Sequence, residues 1–224
     1  MMLSITIIGS SGSGKSTLQA GLKNYSPKFV MFPKMTTRKQ RIYEIDGCDY
    51  YFVNDNTFDE SIAKNKLIHV KYSDFDHSKY GVDKSNIICF INKGLIPVFT
   101  SHSLEEAQQL THCLNKIKVS NFCIYIYTTE QNRRKYLFDK NENEKYYHRY
   151  YVDIAFKMQA FLKKFQDCHY FIYNNGCKND LLMHCEVIDQ LLHKKKFGKF
   201  AIEKTICHAM EIEINSLIQK IDNE

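Results

Sequence analysis

Short apolar runs alternate with amphipathic stretches along most of this chain. Leu3–Ile8, apolar except for Ser4 and Thr6, predicts a buried strand. Ser16–Lys23 predicts a helix, and Lys28–Phe32 a short strand ending at Pro33. The segment "RIYEIDGCDYYFVNDN" turns at Asp46-Gly47 and continues in aromatic strand residues. Lys66–Tyr72 predicts a strand, and Asp83–Asn92 a helix closed by Lys93-Gly94. Leu95–Thr100 is a further strand. Ser103 then stands as a helix cap with Glu106 three residues on, the spacing of a capping box. Phe122–Tyr127 predicts a strand, Glu144–Gln166 a long helix and Tyr170–Tyr173 the last strand, with two helices after it. Strands alternating with helices imply an α/β fold with a mainly parallel sheet flanked by helices.

Composition narrows the class without naming a function. A chain of 224 residues with 44% hydrophobic residues is long enough to bury a sizeable core unaided. The formal charge of +6 suits an anionic ligand, but Lys and Glu are interspersed, so no nucleic-acid partner is expected. The eight cysteines form no CxxC pair, and Cys and His neighbours in sequence point to different faces of an element. Reduced thiols in a cytoplasmic protein are the expectation. No apolar run is long enough to span a bilayer, and a basic leader before the first strand is missing, so no membrane partner is expected.

The strongest chemical signal is "GSSGSGKST", Gly9 to Thr17, directly after the first strand. Gly9, Gly14, Lys15 and Ser16 satisfy G-x-x-x-x-G-K-[ST] between a predicted strand and a predicted helix. Glycines let backbone amides turn inward around phosphate oxygens, and the helix N-terminus adds its positive end. Gly9, Ser11, Gly12, Ser13, Gly14, Lys15, Ser16 and Thr17 are therefore candidate ATP-binding residues. Lys15 would reach the β- and γ-phosphates and the Ser16 hydroxyl would ligate Mg²⁺. A second constellation lies in "MTTRKQRIYEIDGCDYYFV", where Arg38 and Arg41 precede Tyr50 and Tyr51. Two guanidinium forks and a phenol suit a dianionic phosphate; the alternative is a surface loop whose arginines pair with Glu44 or Asp46.

Together the first P-loop, "TTR..R", "E.DG.DY.FV" and the later "KYG" at Lys79–Gly81 resemble guanylate kinases, in that family's order and approximate spacing over about residues 1–190. The resemblance implies a P-loop NTPase fold with a small acceptor-binding part at about 34–82 and a lid at about 131–150. It covers a domain of residues 1–194, leaving 195–224 as a helical appendage. It implies transfer of a phosphoryl group from ATP to GMP, with Arg38, Arg41, Tyr50 and Tyr80 clamping the acceptor phosphate. Arg133, Arg134 and Arg149 fall in the lid region; Arg134 and Arg149 are the catalytic candidates beside Lys15.

The guanine-reading positions depart from that family. His69 stands where the family has a Glu able to accept two hydrogen bonds from guanine, and a neutral His offers one acceptor. Val82 replaces a small hydroxyl residue, and Lys34 and Met35 replace the lead-in serine. The strand end reads "VFTSHS", with Ser101 the candidate substrate-binding residue and no carboxylate to support Mg²⁺. Asp74 or Asp76, in the loop "KYSDFDHSKYG" after the His69 strand, could supply the carboxylate missing from the guanine-reading positions. Ribose 1,5-bisphosphate phosphokinases share the His and the polar strand end but lack "EIDGCDYYFV"; peptide-binding guanylate-kinase-like modules typically lose the P-loop lysine that is kept here. Beyond "KKKFGK", Ile202, Ile206, Met210, Leu217 and Ile221 recur at near-helical spacing, predicting a helix that packs on the body or forms a homodimer.

Overall fold

The computed structural model describes residues 2–73, 77–138, 158, 161–162, 168–194 and 204–222. In chain order the elements are β1 (Met2–Ile8), α1 (Lys15–Tyr25), β2 (Phe29–Met31), β3 (Lys34–Thr36), β4 (Tyr50–Phe52), α2 (Asp55–Ala63), β5 (Leu67–Tyr72) and β6 (Lys79–Asp83). There follow α3 (Lys84–Asn92), β7 (Ile96–Ser101), α4 (Leu104–Lys116), β8 (Val119–Tyr127), α5 (Glu130–Phe138), β9 (Tyr170–Tyr173), α6 (Lys178–His193) and α7 (Lys204–Asp222). One sheet has the order β2-β7-β1-β8-β9, and its β2–β7 and β8–β9 pairs are parallel. The second, β4-β3-β6-β5, pairs β3 with β4 in parallel and is otherwise antiparallel. Of the predicted helix Glu144–Gln166 only Met158, Phe161 and Leu162 are among the described residues, and they are helical; Asp74, Asp76 and Arg149 lie outside them.

The chain divides into two compact units, one of residues 1–5, 26–99 and 109–121 and the other of 6–25, 100–108 and 122–224. The first contains the second sheet and a core of Phe32, Val82, Ile87, Phe99, Leu110, Leu114 and Val119. Asp83 caps α3 through the amides of Ser85 and Asn86, where its carboxylate also meets the positive end of the helix. β8 starts earlier than the apolar run predicts. Asn121, buried in that extension, is satisfied by Thr111 Oγ1 at 2.7 Å and Ser4 Oγ at 3.1 Å, so a polar residue is tolerated there.

The core of the second unit joins Ile8, Tyr125 and Tyr127 to Phe161, Phe171 and the α7 residues Met210, Ile214 and Leu217. Those three repeat at helical spacing and make one buried stripe. The apolar face foreseen for the appendage is thus laid on its own unit. Gly21 lets α1 approach α6: a Cβ there would lie 2.4 Å from Leu182 Cδ2. Among the described residues no helix is long and apolar enough to cross a membrane, and all eight cysteines are free thiols.

Candidate active site

The loop Gly9–Gly14 sits in the second unit, between β1 and α1. Gly12 and Gly14 adopt φ of 74° and 102°, left-handed values that favour glycine. Gly9 is needed for space instead: a Cβ would come within 2.5 Å of Ser13 Oγ and 2.6 Å of the Ile126 carbonyl oxygen. The Lys15 side chain folds back, Nζ donating to the carbonyls of Gly9 at 2.7 Å and Ser10 at 2.8 Å. Ser13 Oγ is buried with no hydrogen-bond partner among the described residues. An orphaned hydroxyl, a tucked ammonium and left-handed glycines make a concavity whose donors suit phosphate oxygens. Ser16 is exposed in the first turn of α1, and Ser11, Gly12 and Thr17 are partly exposed around it.

Asn174 supports this loop and was not foreseen. Buried at the end of β9, it donates through Nδ2 to the Ser13 carbonyl at 2.9 Å and accepts from the Gly176 amide at 3.0 Å. Its own carbonyl accepts from Thr128 Oγ1 at 2.7 Å. The signal in the sequence was the Asn-Asn-Gly turn closing the last strand.

At the end of β7, the Ser101 carbonyl accepts from the Gly9 amide at 3.3 Å. The Ser101 hydroxyl, buried, lies 2.8 Å from the Ser103 carbonyl and 3.0 Å from Glu106 Oε2. The strand end therefore lacks a carboxylate in sequence but has one in space. Glu106 reaches back from the first turn of α4, whose cap Ser103 accepts the Glu106 amide as the capping box predicts.

In the first unit three of the four acceptor-clamp candidates, Arg38, Tyr50 and Tyr80, come together. Lys34 pairs with Tyr50 across β3–β4, and Thr36 with Tyr80 across β3–β6, so the tyrosines stand on the two strands that flank β3, with ring centres 6.0 Å apart. The Arg38 guanidinium lies 5.2 Å from the Tyr50 ring centre and donates to Glu44 Oε1 at 2.7 Å. Glu44 Oε2 accepts the Arg41 amide at 2.9 Å, so one carboxylate spans both arginine positions. The Arg41 guanidinium is exposed and bonded to the Tyr43 hydroxyl at 3.2 Å. The hydrogen bond with Arg38 holds the Glu44 carboxyl below the usual carboxylate range, and Glu44 in turn raises Arg38 further. Burial pushes the Tyr50 phenol up, with Tyr80 adding to it. Lys79 stabilises the strand before Tyr80 through Asp59 at 2.7 Å and Asp55 at 3.0 Å. His69 is buried on β5 opposite Val82, beside a bulge.

Of the three arginines expected in the 131–150 region, Arg133 is not free to meet a phosphate. It is 1% exposed and bonded to Glu213 Oε1 at 2.5 Å. Arg134 lies on α5 with its side chain outside the described set.

The guanylate kinase family model matches residues 1–195. A guanylate kinase of Thermobifida fusca is 34% identical over 102 residues, covering 46% of this chain and 50% of that protein. One of Malacoplasma penetrans is 29% identical over 197 residues, covering 85% of this chain and 95% of the relative. For the Thermobifida, Streptomyces and Lactobacillus relatives, the chain spans about half of their length. The crystal structure of guanylate kinase from Anaplasma phagocytophilum has the same fold, a mainly parallel sheet flanked by helices. Its TM-score is 0.58 over 87% of this chain and 86% of that one, at 18% identity.

Proposed function

We propose, from the premise that this chain belongs to the guanylate kinase family, that it transfers the γ-phosphoryl group of ATP to a nucleoside monophosphate, nominally GMP. The observation that carries this reading is the convergence of Arg38, Tyr50 and Tyr80 around one concentrated positive charge, with Glu44 holding the guanidinium in place. The P-loop alone would serve many reactions; a second phosphate grip beside it in sequence specifies a phosphorylated acceptor.

Backbone amides of Gly9–Gly14 and the Ser13 hydroxyl would receive the donor phosphates, and Lys15 would leave its carbonyls for the β- and γ-oxygens. Ser16 would hold Mg²⁺, which supplies charge neutralisation at the β- and γ-phosphates. Arg38, Arg41, Tyr50 and Tyr80 would grip the acceptor phosphate. One of its oxygens forms the new bond to the γ-phosphorus, the bond to the β–γ bridging oxygen breaks, and ADP leaves with that electron pair. Arg134 and Arg149, in a lid of about 131–150, would meet the charge on the moving group. Residues 1–194 would form this kinase domain, 34–82 its acceptor part, and the free cysteines suit a cytoplasmic setting.

His69 in place of a carboxylate removes one of two acceptors for the guanine edge, so selectivity for guanine should be relaxed. The test is an ADP-release assay over GMP, dGMP, AMP, CMP and UMP. Turnover of GMP with measurable turnover of a second base is expected. Silence with all five overturns the reading, and turnover of ribose 1,5-bisphosphate alone would assign the chain to sugar-phosphate chemistry.

A further inference from the structure

Helix α7 lies beyond the span matched by the family model, yet it carries a charge into the body of the second unit. Glu213 shares the helix face of Met210, Ile214 and Leu217, all buried in the core. Its Oε1 accepts from Arg133 Nη2 at 2.5 Å, and its Oε2 accepts from the Tyr127 hydroxyl. Arg133 Nη1 donates to the Thr128 carbonyl at 2.5 Å, and the Arg133 amide donates to the Thr129 carbonyl at 3.0 Å. Arg133 Nε is buried with no partner among the described residues. A buried guanidinium with one nitrogen unsatisfied is tolerated only while a carboxylate holds its charge.

These bonds meet where β8 passes into α5. Thr128 and Thr129 join the end of β8 to α5, and hinges are a few element-terminal residues of this kind. We propose that Glu213 is a positioning residue: through Arg133 and Tyr127 it braces α5 against the end of β8, so that α7 sets the pose from which the lid works. That α5 is the base of a lid rests on the kinase reading above; that Glu213 braces α5 does not. Arg133, which the sequence leaves between a phosphate-facing group and a solvated face, is then the socket of an internal strut.

The experiment uses the full chain and its Glu213→Gln variant. Amide exchange is followed over Glu130–Phe138, with Lys15–Tyr25 as internal reference, and steady-state phosphoryl transfer is measured on the same samples. In Glu213→Gln the α5 amides should exchange at least about tenfold faster while α1 keeps its rates. The kcat should fall about tenfold, with KM for ATP within about twofold. The paired Arg133→Met/Glu213→Met variant, which removes both charges at similar volume, should regain α5 protection to within about threefold. Unchanged α5 exchange in Glu213→Gln overturns the proposal, as does equal acceleration of α1 and α5. If Glu213→Gln does not fold, Glu213→Asp decides, since it keeps the charge and withdraws it by one methylene. Faster α5 exchange alone supports the brace, and wild-type rates overturn it. A wild-type chain without phosphoryl transfer would sink the kinase reading and leave the exchange comparison to decide the brace.

Discussion

At the scale of single residues, Glu44 shows how a group with no direct chemistry shapes a site. Its two oxygens hold the Arg38 guanidinium and the Arg41 amide, so one carboxylate ties the two ends of the loop between them. Because Arg38 depresses the Glu44 carboxyl in the folded chain, the pair's contribution to stability is complete above the ordinary carboxylate range. It is lost as pH falls through the lowered folded value. Both side chains are mostly buried, at 13% and 9% exposure, so we expect Glu44→Gln to cost about 1 kcal/mol at neutral pH. Urea unfolding over a pH series should show that difference shrinking under acid conditions; a difference independent of pH would mean that the pair is not the cause. Arginines and tyrosines could be read from sequence because their chemistry is self-declaring. The Arg38–Glu44 pair could be read as well, as the bland outcome for arginines in a loop that also carries Glu44 and Asp46; the second bond of that carboxylate, to the Arg41 amide, could not. The burial of Arg133 could not be read: its neighbours in sequence are polar, and the α7 face that covers it is distant in the chain.

At the scale of elements, the P-loop was legible because a short spacing rule and a strand–turn–helix context are both local. What lies outside the rule is the support the loop receives from distant segments. Asn174 comes from the end of β9, and the Ile126 carbonyl of β8 sets how near Gly9 must pass. The second sheet was legible only in part: β3 and β4 are three residues each, too short to show a period, and their parallel pairing is a tertiary outcome. Gly9→Ala tests the tight passage. Its Cβ would meet a backbone oxygen that cannot swing aside, so we expect a loss of about 1–3 kcal/mol together with weakened ATP binding by calorimetry. Gly94→Ala is the control. It has open space around the new methyl but a φ of 76°, and should cost only the left-handed strain of about 1 kcal/mol, with ATP binding intact. Equal losses of ATP binding in both variants would show that general destabilisation, not the crowded loop, is responsible.

At the scale of the molecule, the family domain and the C-terminal helix are not separable in the way the sequence invites. The basic run Lys194–Lys199 reads as a boundary, and the apolar repeat after it reads as a face that packs either on the body or on a second subunit. In the fold that repeat completes a core begun by β1, β8 and β9, and a glutamate inside it neutralises an arginine on α5. One charged residue in an otherwise apolar stripe is the pattern that a sequence can show but cannot interpret, because its meaning depends on which charge lies opposite. The consequence is testable by ending the chain at Lys194. Removing α7 uncovers Met158 and Phe161 with their neighbours and strands the Arg133 charge in an apolar site, a loss of about 3–5 kcal/mol from the charge alone. Such a chain should unfold at a much lower temperature or aggregate. Arg133→Leu in the shortened chain removes the stranded charge and should recover part of the loss, whereas the same substitution in the full chain leaves Glu213 unpaired and should destabilise. That reversal of sign between the two backgrounds, read as Tm, is what an internal strut requires. If Arg133→Leu shifts Tm in the same direction in both, α7 is packed by its apolar stripe alone and the ion pair is incidental.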